Sequence, residues 1–306
     1  MLGAAFYMSV RFAIALALLA VVMPGLFRGL TREHWRLGAY VGLSFAAGSI
    51  LQIVALNEIP ASRSSFLTSL AVVFTPLLMV TVERRWPRRV VLAGVALALA
   101  GTAILTGIVE LGGRFGVRIA GEAATRWQVG DTLTTIAAFL FAVQIIQIDL
   151  FSRRMSPAQL TPGMFVATMS FGVVAFAAGV LAMPGSAALP ARFALLQDGP
   201  FVTLTVVTSL LCTVAAFYLM NKYQPFVTPA DAALIYTLEP IFATFWAMWL
   251  PGLISPLVGL DYPSEEPGWQ LTAGGLLVVI GNVLALWPTT GQRMSSTMSD
   301  DERQSC

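Results

Sequence analysis

Glu239 stands near the middle of an apolar run, "DAALIYTLEPIFATFWAMW" over residues 231–249, with Tyr236 three residues before it and Pro240 immediately after. Residues three apart share a side of a helix, so a carboxylate and a phenol would stand together here, able to bind a cationic group or to exchange a proton. The competing reading makes Glu239 a packing anchor that bonds neighbouring hydroxyls or pairs with Arg11, and the sequence leaves both open. Pro240 lacks a backbone donor and is expected to kink the helix. Ser65, Thr68 and Ser69 form a hydroxyl cluster on another apolar run, and Gln52, Gln144 and Gln147 place amides on two more. These groups can bond a ligand, although Ser and Thr also serve as small packing residues between membrane helices, and a buried amide needs a partner in either role. Arg11 interrupts "FYMSVRFAIALALLAVV" and needs an anionic neighbour, either Glu239 or an anionic ligand.

The elements that must position these residues are membrane helices. Hydrophobic residues make up 57% of the 306-residue chain and charged ones 11%, and the mean hydropathy is +0.78, far from the roughly 25% charged of soluble proteins. Runs long enough to span a bilayer, about 20 residues each, occur near 4–23, 37–57, 64–82, 90–109, 130–150, 160–183, 201–220, 229–250 and 270–288. Their continuity argues against a barrel, whose strands would alternate over about ten residues. The first run lacks the basic n-region of a signal peptide and carries Arg11 where such a peptide is most apolar. The expected fold class is therefore an all-α integral membrane protein, a polytopic bundle of nine spans.

Basic residues divide unequally between the two sides of that bundle. If the loops alternate, twelve fall on the side of the C-terminus (Arg28, Arg32, Arg36, Arg84, Arg85, Arg88, Arg89, Arg153, Arg154, Lys222, Arg293, Arg303) and five on the other (Arg63, Arg114, Arg118, Arg126, Arg192). The positive-inside rule then puts the C-terminus in the cytoplasm of a cell-membrane protein. The net charge of +2 comes with no basic stripe, so no nucleic-acid partner is expected. The single histidine, His34, and two cysteines, Cys212 and Cys306, form no cluster with ligand spacing. No metal, cofactor or catalytic residue is expected, and an enzyme is the weaker alternative.

The chain contains an internal repeat. "SRSSFLTSLAVVFTPLL" from Ser62 matches "ADAALIYTLEPIFATFW" from Ala230 at an offset of 168, and "AGVALALAG" matches "GGLLVVIG" at an offset of 180, aligning Gly94 with Gly274 and Gly101 with Gly281. The run at 130–150 has no partner within the chain. A repeat of five spans is odd in number, so two copies would enter the membrane from opposite sides. The expected organisation is a first repeat over 1–109, an inter-repeat loop over 110–129, a second repeat over 130–288 and a disordered cytoplasmic tail over 289–306. In this reading the repeats contain four and five helices, and a first helix is missing through a mis-assigned start or truncation.

The strings "RFAIALALLA", "ASRSSFLTSLAVVFTPLL" followed by Glu83, "AGVALALAGTAIL", "GDTLTTIAAFLFAVQI" and "TPADAALIYTLEPIFA", in this order and spacing, resemble the EamA-type permeases of the drug/metabolite transporter superfamily. The resemblance covers all nine runs and implies a ten-helix, two-repeat carrier that moves a small metabolite or drug, commonly outward, by alternating access. "LEP" at Leu238–Pro240 also belongs to it as a structural signature. Three features depart from the family: the first helix is absent, Val82-Glu83 replaces a Gly-Glu pair, and Val72 stands where the repeat register puts Pro240. A non-transporting pseudo-carrier is the alternative, and one buried acid is compatible with both proton-coupled and downhill transport.

Overall fold

The computed structural model of the chain describes residues 2–83, 89–106, 109–112, 116–119, 127–152, 154–182, 188–223, 236, 238–259, 263–266 and 268–286. Helix α1 (Leu2–Val22) ends before Pro24, ahead of which Met23 has left the helical region (φ −133°, ψ 58°). Helix α2 (Arg32–Ala55) starts at Thr31, whose backbone N–H donates to His34 Nδ1 at 3.1 Å. That leaves the ring proton on Nε2, which donates to Gln159 Oε1 at 3.1 Å and ties α2 to the segment before α7.

The run expected as one helix over 64–82 is broken. Helices α3 (Ala61–Thr68) and α4 (Ala71–Glu83) are joined by a tight turn in which the Leu70 N–H reaches the Leu67 carbonyl at 3.1 Å and the Val72 N–H the Ser69 carbonyl at 3.0 Å. Ser69 Oγ donates to the Phe66 carbonyl (2.7 Å) and Thr68 Oγ1 to the Ser64 carbonyl (2.9 Å), so side chains compete for the groups a regular helix would use. Helix α5 (Arg89–Leu105) is followed by a short antiparallel hairpin, β1 (Val109–Gly112) with β2 (Gly116–Ile119), within the expected inter-repeat loop.

The second half contains α6 (Val129–Ser152), α7 (Thr161–Ala182), the short α8 (Ala188–Ala194), then α9 (Gly199–Ser209) and α10 (Ala216–Tyr223), continuous through a π turn at Leu210–Ala215. Helices α11 (Glu239–Ile254) and α12 (Trp269–Leu286) complete it. Among the described residues, seven helical segments are long and apolar enough to cross a membrane. The other two expected runs form α5 and α12, of 17 and 18 residues, or roughly 26 Å each against a hydrocarbon core of about 30 Å.

Two apolar clusters hold the bundle. One joins α1, α2 and α7 around Phe12 and Phe165, whose rings meet edge-on at 5.4 Å, and the other joins α3, α4, α5, α6 and α12 around Leu67, Ala98 and Val278. Between α5 and α12 the backbones touch. A Cβ placed on Gly94 would lie 2.5 Å from the Gly281 carbonyl, and one on Gly101 2.6 Å from the Gly274 carbonyl. As the contacts advance along α5 they retreat along α12, so the two helices are antiparallel. Gly101→Val should therefore lower the thermal unfolding midpoint of the detergent-solubilised protein, with a cost of about 1–3 kcal/mol from overpacking. Gly199→Ala, where an added Cβ meets nothing within 4 Å, should leave the midpoint unchanged.

Candidate functional site

The polar residues of the spans fall into three groups. In the first, α2, α3, α6 and α12 converge on the broken helix. Gln52 Nε2 donates to Thr68 Oγ1 at 2.9 Å, and Ser65 Oγ donates to the Ser62 carbonyl at 2.7 Å. Ser65, Thr68 and Ser69 are buried with each hydroxyl donating to a carbonyl of its own helix. Asn282 of α12, fully buried, donates to Ser69 Oγ (3.2 Å) and the Ser69 carbonyl (3.5 Å), so it holds the break from a neighbouring helix. Gln144 is buried on α6. Gln147 Oε1 and Asn282 Oδ1 are buried acceptors without a hydrogen-bond partner, a state that costs about 1–3 kcal/mol each when nothing binds.

The second group surrounds Arg11, halfway along α1. Of the two alternatives for Arg11, the pairing with Glu239 is not formed. Arg11 Nε donates instead to Thr213 Oγ1 at 2.8 Å and Nη2 to the Cys212 carbonyl at 3.4 Å, both within the π turn. The widened turn has carbonyls outside the regular i→i+4 ladder, and a guanidinium from the adjacent helix takes one of them. Ser209 Oγ returns a bond to the Arg11 carbonyl at 3.0 Å.

Glu239 and Tyr236 lie apart from both groups. Glu239 is exposed in the first turn of α11, within electrostatic reach of Tyr236 and without a hydrogen-bond or ion-pair partner among the described residues. The arm of the helix that would precede the kink expected at Pro240, residues 229–235 and 237, lies outside the described residues. Leu238 is a turn residue and Pro240 sits at the start of α11, where its missing N–H would have no intrahelical partner anyway. Arg153, the tail over 289–306 and most of "TPADAALIY" lie outside the described residues.

The third group was not singled out in the sequence. At one end of the bundle, Arg63 of α3 clasps the fully buried Asp131 of α6, Nε to Oδ1 at 2.7 Å and Nη2 to Oδ2 at 2.6 Å, and also reaches the Thr106 carbonyl at 3.3 Å. Asp131 Oδ2 accepts the Gln128 N–H (2.7 Å) at the start of α6, and Glu58 accepts the Gly130 N–H (3.2 Å). The segment before α12 supplies Glu265. Its carboxylate accepts the Ala61 N–H (2.8 Å), the Ser62 N–H (3.3 Å) and the Ser62 hydroxyl, capping α3 from another part of the chain. Its own N–H donates to the Ala247 carbonyl of α11 at 3.0 Å.

A cavity of about 400 Å³ opens here between Ser62, Arg63, Thr106, Glu265 and Gln270. None of the sequence candidates lines it. Those candidates are polar groups within the apolar runs, whereas Arg63 and Asp131 sit at run ends. A lone basic and a lone acidic residue at the same end of adjoining spans was the available signal.

The chain is thus a multi-pass helical membrane protein with polar groups buried between its spans. Residues 2–107 match the EamA-like transporter family. An uncharacterized transporter of Archaeoglobus fulgidus is 25% identical over 211 residues, which are 69% of this chain and 59% of that protein, so the chain spans less than two thirds of the relative's length. A solved crystal structure shares the fold with a TM-score of 0.53 at 18% identity, covering 93% of this chain and 86% of the other.

Truncating Arg63 while leaving Asp131 strands a buried charge, a loss of about 3–5 kcal/mol. Arg63→Met should unfold at a markedly lower temperature than the native protein in detergent, and Arg63→Met with Asp131→Leu should recover much of the difference. A single variant as stable as the native protein would show that the pair contributes nothing.

Proposed function

We propose that the chain is a secondary transporter of the drug/metabolite type that exports a small metabolite or drug-like compound by alternating access between two inverted repeats. The observation that carries this reading is the crossing of α5 and α12. In the repeat register an offset of 180 turns Gly94 into Gly274 and Gly101 into Gly281, so the contact of Gly94 with Gly281 becomes that of Gly274 with Gly101. Both contacts are present. The same exchange turns the approach of Gly94 to Ala285 into that of Gly274 to Leu105, also present. Contacts that map onto one another between antiparallel helices are what a two-fold axis in the membrane plane produces, and inverted repeats of this kind characterise many secondary transporters.

In this reading α5 and α12 are the fourth and ninth spans, the first repeat covers 1–109 and the second 130–288, and the C-terminus is cytoplasmic. A fluorescent protein fused after Cys306, of a type that matures only in the cytoplasm, should be bright in intact cells; a dark fusion on a well-expressed protein would reverse the orientation. Substrate contacts are drawn from Glu239, Tyr236, Arg11, Gln52, Thr68, Ser65, Ser69, Gln144 and Gln147. The partnerless Oε1 of Gln147 favours a bonding role for that residue, while the satisfied hydroxyls of Ser65 and Ser69 favour packing.

Cells expressing the intact gene, its Glu239→Gln variant or an empty vector should differ in the compounds that accumulate outside. Accumulation with the intact gene and its loss in the variant are the expected results. Accumulation retained in the variant would make Glu239 a packing residue, and no accumulation from inserted protein would favour the pseudo-carrier.

A further inference from the structure

Arg11 is a permanent cation at the middle of a membrane-spanning helix, and its acceptors are neutral. Nε donates to a hydroxyl, Thr213 Oγ1, and Nη2 to a carbonyl, that of Cys212. Among the described residues no carboxylate pairs with it. Charged side chains at this depth ordinarily pair with one another or mark a ligand pathway.

The surroundings orient the guanidinium without neutralising it. Thr213 holds the Nε edge, and the hydroxyl of Thr213 is itself directed to the Thr208 carbonyl at 3.4 Å. The Tyr7 ring lies 6.0 Å from the guanidinium carbon and its hydroxyl is 3.5 Å from Thr208 Oγ1. A guanidinium carries its N–H donors in a planar fork that fits a two-oxygen acceptor, and the Nη1 side of this fork has no acceptor among the described residues. The acceptors belong to a π turn, a distortion concentrated at functional sites, and Cys212 within that turn is exposed.

We propose that Arg11 and the π turn at Leu210–Ala215 form a binding site for an anionic group, a carboxylate or comparable oxyanion, with Thr213 setting the plane of the guanidinium. That the anion is part of the transported compound rests on the transporter reading above; the anion site itself does not.

Cys212 reports on the site directly. In full-length protein carrying Cys306→Ser, Cys212 is the remaining thiol of the two in the chain. Its reaction rates with a sulfonate-bearing methanethiosulfonate and with the trimethylammonium counterpart are each divided by that reagent's rate with a free small thiol. The expected result is a preference for the anionic reagent of roughly tenfold or more, kept in Arg11→Lys, lost in Arg11→Gln, and weakened by added salt. A neutral methanethiosulfonate, reacting equally with all three proteins, checks that the site is intact. If Arg11→Gln does not fold, the native protein carries the test through its salt dependence. Absence of preference, preference for the cation, a preference that survives Arg11→Gln or ignores salt, or a thiol inert to all reagents because it faces lipid would each overturn the proposal. A charge preference without transport would leave the anion site standing and remove the carrier reading.

Discussion

In the hydrocarbon interior no water is present to bond a backbone amide or carbonyl, so each departure from a regular helix must be satisfied by another part of the protein. The irregular places in this chain obey that constraint. The break between α3 and α4 is filled by its own Ser and Thr hydroxyls and by Asn282 from α12. The π turn at Leu210–Ala215 gives a carbonyl to Arg11 from α1. Near the end of α11, where Pro251 stands within the helix, the Gly252 N–H reaches Ser264 Oγ at 3.1 Å. Each irregularity is thereby a joint between distant segments, and the polar residues are spent on joining.

Apolar contact alone would not orient such a bundle, since lipid chains are as apolar as leucine. Orientation comes from backbone approach at the α5 and α12 glycines and from the charged end that ties α3 to α6 and to the loop before α12. The two ways differ in what they permit. A close glycine crossing can roll without exposing a polar group, whereas opening the end held by Arg63, Asp131 and Glu265 must first expose a buried ion pair and an N-terminal cap. The cavity at that end lies directly against these bonds.

Packing is unequal between the halves. Half of the most apolar stretch of Ala61–Val80 is buried inside the protein, against 6% of that of Glu239–Val258. The difference has a visible source in the first half, where α6 packs on α3 and α4. Helix α11 meets α3, and its Phe242, Phe245, Trp246 and Trp249 face outward. Large apolar side chains on such a face are compatible with lipid contact, which explains why the exposed surface of this protein is so rich in them.

By itself the sequence determined that the chain is a helical membrane protein and where its apolar runs lie. These properties follow from local hydropathy and spacing, which are carried by neighbouring residues. What it left open was every pairing made across the bundle. Arg11 reads as a partner for Glu239 or for an anion until the π turn supplies nearer acceptors, and nothing in the local sequence marks Glu265 as the cap of α3. Only the tertiary structure decided these, because a polar group in a membrane takes the partner that folding brings within about 3 Å, and that partner lies some two hundred residues away in the chain for Arg11 and Glu265 alike.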